Sequence, residues 1–114
     1  EAYPGPSIII GYCPCELHSI PGGMTNAQAE MKKAVNCGYW NLFRYNPAAK
    51  AEGKPAFVLD SKKPQNGYRD FMGEARYSAL TRSFPERAKV LFQKAEDTAN
   101  ARYEHLEKLG DLYN

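Results

Sequence analysis

The sequence lacks the features that would mark a membrane protein, a secreted scaffold or a polynucleotide binder. No apolar run approaches the ~20 residues needed to cross a bilayer. Three cysteines are too few, and odd in number, for a disulfide framework, so a reducing, cytoplasmic compartment is expected. Charge of one sign is not in excess: fifteen basic against thirteen acidic side chains leave +2, which removes the electrostatic case for nucleic acid or an anionic membrane. Gly22-Gly23 lacks the flanking pattern of a nucleotide loop. There are no internal repeats, no Ser/His/Asp order and no paired carboxylates. The 114 residues, 43% hydrophobic and 25% charged, suffice for one ordered domain and not for two.

One stretch organises the rest: Pro6-Ser7-Ile8-Ile9-Ile10-Gly11-Tyr12-Cys13-Pro14-Cys15-Glu16-Leu17-His18. Three successive β-branched residues predict a short strand buried on both faces, the habit of a central parallel strand. Gly11 ends it, and a loop bearing Cys13, Cys15, Glu16 and His18 follows at the strand's carboxyl end, where open α/β sheets bind their ligands. Thiolates suit iron–sulfur clusters, zinc or copper. A buried parallel strand needs neighbours reached by crossover connections, and the chain supplies few candidates. The expectation is a piece of a larger polypeptide or one subunit of a larger assembly, in line with an opening residue, Glu1, that is not Met.

Downstream, Thr25-x-x-Gln28 has the form of a capping box that opens a helix. Met31, Ala34 and Val35 supply its apolar stripe and Gly38 its left-handed terminator, so strand, loop and helix read as a βα unit of an α/β fold. The run Tyr39–Tyr45 fits a strand covered on both faces, stopped by Asn46-Pro47. Residues 48–55 read as loop, Phe57-Val58-Leu59 as a second short strand, and 60–67 as turn. Phe71, Met72, Ala75, Ala79 and Leu80 fit one or two short amphipathic helices. Ser83-Phe84-Pro85-Glu86 reads as a restart with Ser83 as N-cap. The helix it opens is ~25 residues long, or roughly 38 Å, with a stripe from Ala88 to Leu109 and Gly110 as its cap. The chain divides into an α/β end with the cysteine loop (1–47), an irregular extension (48–82) and a C-terminal helix (83–114).

Cys13-x-Cys15-x-x-His18 is the metal-like cluster, but it lacks the second ligand pair of a structural zinc site. Cys37 stands at a helix end beside Gly38. On the residues alone the thiols read as packed, because free cysteine behaves as a small buried hydrophobe, with a mononuclear zinc site from Cys13, Cys15 and His18 as the competing reading.

Several strings resemble the carboxyl-terminal part of pyruvate:ferredoxin (flavodoxin) oxidoreductases. They are Pro6-Ser7-Ile8-Ile9-Ile10-Gly11-Tyr12-x-x-Cys15, Gly23-Met24-x-x-x-Gln28 and Ala34-Val35-x-x-Gly38-Tyr39-Trp40-x-Leu42-x-Arg44-Tyr45-x-Pro47. Gly53-Lys54, Leu59-Asp60-Ser61-Lys62-x-Pro64, Phe71-Met72-x-x-x-Arg76-Tyr77 and Ser83-Phe84-Pro85-Glu86 continue the match in order. The resemblance implies oxidative decarboxylation of a 2-oxoacid, pyruvate by default, on thiamine diphosphate with Mg²⁺. The acyl group passes to coenzyme A, and electrons pass along [4Fe-4S] clusters to ferredoxin or flavodoxin, a chemistry of anaerobic metabolism. It implies the βα end of a parallel-sheet thiamine-diphosphate-binding domain followed by an extended, helical C-terminal tail. The cluster nearest the thiamine takes its last cysteine from the Tyr-x-x-Cys loop, which falls on Cys15 as a metal ligand. Cys13, His18 and Cys37 acquire no role. No catalytic residue and no thiamine-binding residue carries over, so the isolated chain is expected to be inactive. The implied partners are the remainder of the enzyme chain or partner subunits in a homodimer. A second reading is a non-catalytic interaction module that docks through its aromatic strand and long helix.

Overall fold

The first helix, α1 (Ala27–Asn36), comes after two 3₁₀ turns at Glu16–His18 and Met24–Asn26. The computed structural model from which these elements come describes residues 2–65 and 67–114; Glu1, and Asn66 of the predicted 60–67 turn, lie outside them. The capping box expected at Thr25 does not form. Thr25 instead donates to the Gly22 carbonyl at 3.3 Å and Asn26 to that of Pro21 at 2.9 Å, because the chain is already winding at Met24. Gly38 does terminate α1, with φ of +82° and its N–H on the Val35 carbonyl. A Cβ there would lie 2.7 Å from Pro64 Cγ, so conformation and space both demand glycine. The buried face of α1 is Glu30 and Ala34, with Cys37 beyond its end, while Met31 is turned outward.

The strand expected over 39–45 is reduced to β1 (Phe43–Tyr45). It pairs antiparallel with β2 (Phe57–Leu59) in the register Phe43↔Leu59, Arg44↔Val58, Tyr45↔Phe57. Tyr39 and Trp40 lie in the turn after α1, closed by the Trp40 N–H on the Ala34 carbonyl at 2.9 Å, which brings both rings against the core. Nor is β1 covered on both faces. A two-stranded ribbon has one face to bury, and here β2 is buried through Phe57 while Phe43 and Tyr45 stay about half exposed. Where a loop was expected, Pro47–Glu52 wind a 3₁₀ turn, with Asn46 Oδ1 accepting from the Ala48 N–H. Arg44 grips Asp60 bidentately across the ribbon's outer face, and that guanidinium holds the Asp60 carboxyl below its usual range.

Helices α2 (Tyr68–Phe71) and α3 (Ala75–Ser83) match the two short amphipathic segments, and α4 (Pro85–Tyr113) is the long one. Ser83 closes α3 rather than capping α4. Phe84 occupies the cap position without a side-chain bond, and Pro85, whose φ suits a first helical turn, starts α4. Gly110 does not cap α4 either, since the helix runs on to Tyr113. Its 29 residues extend roughly 43 Å at 1.5 Å per residue. The core is Ala34, Cys37, Tyr68, Phe71, Met72 and Ala99, with Tyr12, Tyr39, Trp40, Tyr77 and Phe92 packed around it. α4 lies along this core, its Arg102 donating to the Tyr39 carbonyl and its Tyr103 hydroxyl to that of Ser61.

Ile8–Ile10 form no regular element and are not buried: they are 88%, 95% and 75% exposed. β1 and β2 make the sheet among the described residues, so the segment has no strand to pair with, and apolar character alone cannot bury it. The architecture is mixed helical with a small antiparallel ribbon and a long C-terminal helix. It is elongated, 54 × 29 × 22 Å, with a radius of gyration of 17.1 Å against ~13 Å for a compact chain of this length.

Candidate functional site

The loop after Ile10 is held at both ends. On its upstream side the Tyr12 ring packs 5.8 Å from those of Tyr39 and Trp40, and its hydroxyl accepts from Arg76 Nη2 at 3.5 Å. On its downstream side the Ser19 carbonyl accepts from the Ala75 N–H at 3.3 Å, where α3 begins. Ser19 takes φ of +53° to reach it, a left-handed conformation that costs a non-glycine residue free energy. Between these ends the backbone is extended at Cys15 and tightens into the Glu16–His18 turn. The His18 N–H bonds the Cys15 carbonyl at 3.0 Å, and the Cys15 N–H bonds His18 Nδ1 at 3.4 Å.

Glu74 lies beneath the loop, wholly buried. Its Oε1 accepts from Arg76 Nε at 2.7 Å and stands 3.8 Å from His18 Nδ1, while Oε2 has no hydrogen-bond partner. One nitrogen cannot both accept from Cys15 and donate to Glu74. The 3.8 Å separation from Glu74 exceeds a hydrogen bond, whereas the Cys15 N–H lies within reach of Nδ1 at 3.4 Å. The Arg76 guanidinium also lies over the Tyr77 ring, 4.5 Å from its centroid. Burial, with the hydrogen bond to Tyr39, pushes the Tyr77 hydroxyl well above its ordinary range.

The three thiols are separated by environment. Cys37 is buried and donates to the Ala34 carbonyl at 3.7 Å, and burial raises its thiol. Cys13 is exposed, its Sγ 3.4 Å from the Pro14 carbonyl. Cys15 is half-buried, on a backbone pinned from both sides. No group of three His, Cys, Asp or Glu able to hold a metal forms among the described residues, so Cys13, Cys15 and His18 are not gathered as the zinc reading requires. An iron–sulfur cluster takes four thiolates, often from distant parts of a chain. The loop therefore fits one corner of such a cluster, through a partly accessible soft donor, and no more. Sequence reasoning missed Glu74. The only signal for its burial was a charge enclosed by the apolar run Phe71-Met72 and Ala75, and charged residues are rarely buried unless paired.

Beside the loop, a groove of about 590 Å³ runs between Tyr12, Tyr39, Trp40 and Tyr68 on one side and α4 on the other, with Lys94 and Arg102 at its rim.

No protein-family model matches this sequence. The chain is 54% identical over 112 residues to the pyruvate:ferredoxin oxidoreductase of Moorella thermoacetica, a match covering 97% of the chain and 9% of that enzyme. It is 46% identical over 110 residues to the pyruvate-flavodoxin oxidoreductase of Klebsiella pneumoniae, covering 96% of the chain and again 9% of the relative. To the mitochondrial pyruvate dehydrogenase [NADP(+)] of Euglena gracilis it is 34% identical over 110 residues, 96% of the chain and 6% of that protein. Over nearly all of its length, then, the chain matches one segment, 9% of the length, of pyruvate:ferredoxin and pyruvate-flavodoxin oxidoreductases, a family of enzymes.

Proposed function

We propose that this chain works as a segment of a pyruvate:ferredoxin or pyruvate-flavodoxin oxidoreductase, in which Cys15 supplies one thiolate of a [4Fe-4S] cluster near the thiamine diphosphate. The observation that carries the reading is the 54% identity over 97% of the chain. Within the complete enzyme, thiamine diphosphate with Mg²⁺ supplies decarboxylation, coenzyme A accepts the acyl group, and the cluster supplies one-electron transfer. The part played by this chain is positional. Cys15 offers a donor on a loop fixed by Tyr12 and Ser19, and Tyr12, Tyr39 and Trp40 form an aromatic wall beside it. No residue of this chain is assigned a catalytic role.

The partners are the rest of the polypeptide or further subunits, a second copy of the whole enzyme, and a cytoplasmic ferredoxin or flavodoxin. The Euglena relative carries NADP(+) in its name, which favours a choice of acceptor outside this segment. The exposed Ile8–Ile10 serves as a strand in a parallel sheet of the thiamine-diphosphate-binding domain, completed by the rest of the enzyme. On this reading residues 1–47 belong to that domain, 48–82 form an extension and 83–114 the helical tail.

In the complete enzyme a Cys15→Ser variant is expected to lose one cluster's iron and the matching share of visible absorbance, with the remaining clusters intact. Retention of full iron would overturn the ligand role. It would favour the second reading, a non-catalytic docking module, which the half-exposed Phe43 and Tyr45 and the groove along α4 support.

A further inference from the structure

We propose that buried Glu74, with the Arg76 it holds, is a positioning device for the Cys15 loop: Arg76 meets the loop before the cysteine and the Glu74–Ala75 corner meets it after, so that its thiol is presented in one place. The inference rests on the reading of Cys15 as a cluster ligand. Removing a carboxylate wholly from water is unfavourable unless the charge is matched, and a single Arg76 Nε at 2.7 Å matches it while Oε2 stays unpartnered. An incompletely satisfied buried charge is a poor device for stability alone, since an apolar pair of similar volume commonly serves a core as well. What an apolar pair could not do is hold an arginine donor against the loop.

Arg76 reaches Tyr12, upstream of the cysteine, through Nη2 at 3.5 Å. The guanidinium is kept in that orientation by the ring of Tyr77 beneath it. Glu74 stands 3.8 Å from His18 Nδ1, the atom that accepts the Cys15 N–H. The next residue along, Ala75, holds the Ser19 carbonyl. Two neighbouring side chains and one peptide thus bracket residues 12–19, with Cys15 between them. Partners that orient a metal ligand without touching the metal commonly change metal affinity 10–100-fold when removed, a range of roughly one to two decades.

The test uses the complete enzyme with Glu74→Gln, which keeps shape and removes charge, and Arg76→Met. Tyr77→Phe is the control: it removes a hydroxyl from the same core but leaves the ring under Arg76. Iron release to a ferrous chelator, the electron paramagnetic resonance of the reduced clusters and thermal melting are measured together. Glu74→Gln and Arg76→Met are expected to release one cluster's iron roughly 10–100-fold faster than the parent enzyme, with an altered resonance for that cluster. Tyr77→Phe should release iron at the parent rate. Parent-like release and resonance in both variants, alongside loss of a cluster in Cys15→Ser, would overturn the positioning role and leave the ligand role standing. Full iron in Cys15→Ser would instead remove the reading beneath it. Release from Tyr77→Phe as fast as from Glu74→Gln would also overturn the proposal, as general loosening. Should Glu74→Gln and Arg76→Met fail to fold, Tyr12→Phe and His18→Gln decide: faster release at an unchanged melting temperature supports the bracket, and parent-like release overturns it.

Discussion

Gly110 stands inside α4 one turn short of its end, in an ordinary helical conformation, unlike the five glycines with positive φ. A Cβ added there would meet Phe57 Cδ1 at 3.8 Å, an ordinary contact. Gly110→Ala is therefore expected to stabilise the chain by about 0.4–1 kcal/mol, chiefly by restricting the unfolded backbone, and urea unfolding would measure it. Gly38 is the opposite case, left-handed and pressed on Pro64. In sequence the two look alike, each a glycine after a run of helical periodicity, and only Gly38 is a terminator. The difference lies in the residues beyond each glycine. After Gly38 the chain must reverse so that Trp40 can bond back to Ala34, whereas after Gly110 nothing opposes another turn. At the candidate site, the cysteine loop drew notice because thiols after an aliphatic run are conspicuous, but on the residues alone they read as packed, and only the resemblance singled out Cys15. Glu74 and its partner Arg76 were not legible, since pattern reasoning assigns charges to the solvent side and the burial of Glu74 is a tertiary fact.

The end of α4 is fastened to the edge of β2 by a side chain acting as a strand. Asn114 accepts from the Phe57 N–H and donates to the Phe57 carbonyl, both at 2.9 Å, so one primary amide satisfies both backbone groups of a buried strand residue. Asn114→Ala leaves those groups without protein partners at a cost of about 1–3 kcal/mol. Faster hydrogen exchange at the Phe57 amide, together with a lower melting temperature, would register it; unchanged exchange would show the fastening to be idle. Elements with a strong period were readable: α4 through Ala88, Ala99, Tyr103 and Leu106, and α2 with α3 through Phe71 and Met72. The N-caps were not, because a 3₁₀ turn and the helix before them absorbed Thr25 and Ser83. The aromatic strand misled for a different reason. Alternating rings satisfy a strand's period, yet Tyr39 and Trp40 reach the core from a turn, leaving Phe43–Tyr45 as the paired part.

At the scale of the whole chain, elongation and exposure share a cause: α4 and the arm before Tyr12 both project past the small core. Ile9 is the most exposed of the three isoleucines. In the isolated chain Ile9→Lys is expected to change stability by no more than about 0.5 kcal/mol, as surface substitutions usually do. In the complete enzyme, where the arm is proposed to be covered, the same variant should sharply lower the yield of assembled protein, read by gel filtration and iron content. Equal yield would mean that the arm stays bare. The buried, two-sided strand expected at Ile8–Ile10 was a correct reading of what such residues prefer and an incorrect one of what these residues can supply. Left uncovered, such a segment would ordinarily seed cross-β stacking, which needs about six or seven contiguous strand-forming residues free of proline. Here Pro6 and Pro14 bound the stretch and Gly11 interrupts it directly after the isoleucines, which weakens its tendency to zip. The same residues that bound the isoleucines act as gatekeepers, so that an exposed aliphatic arm is kept from recruiting copies of itself.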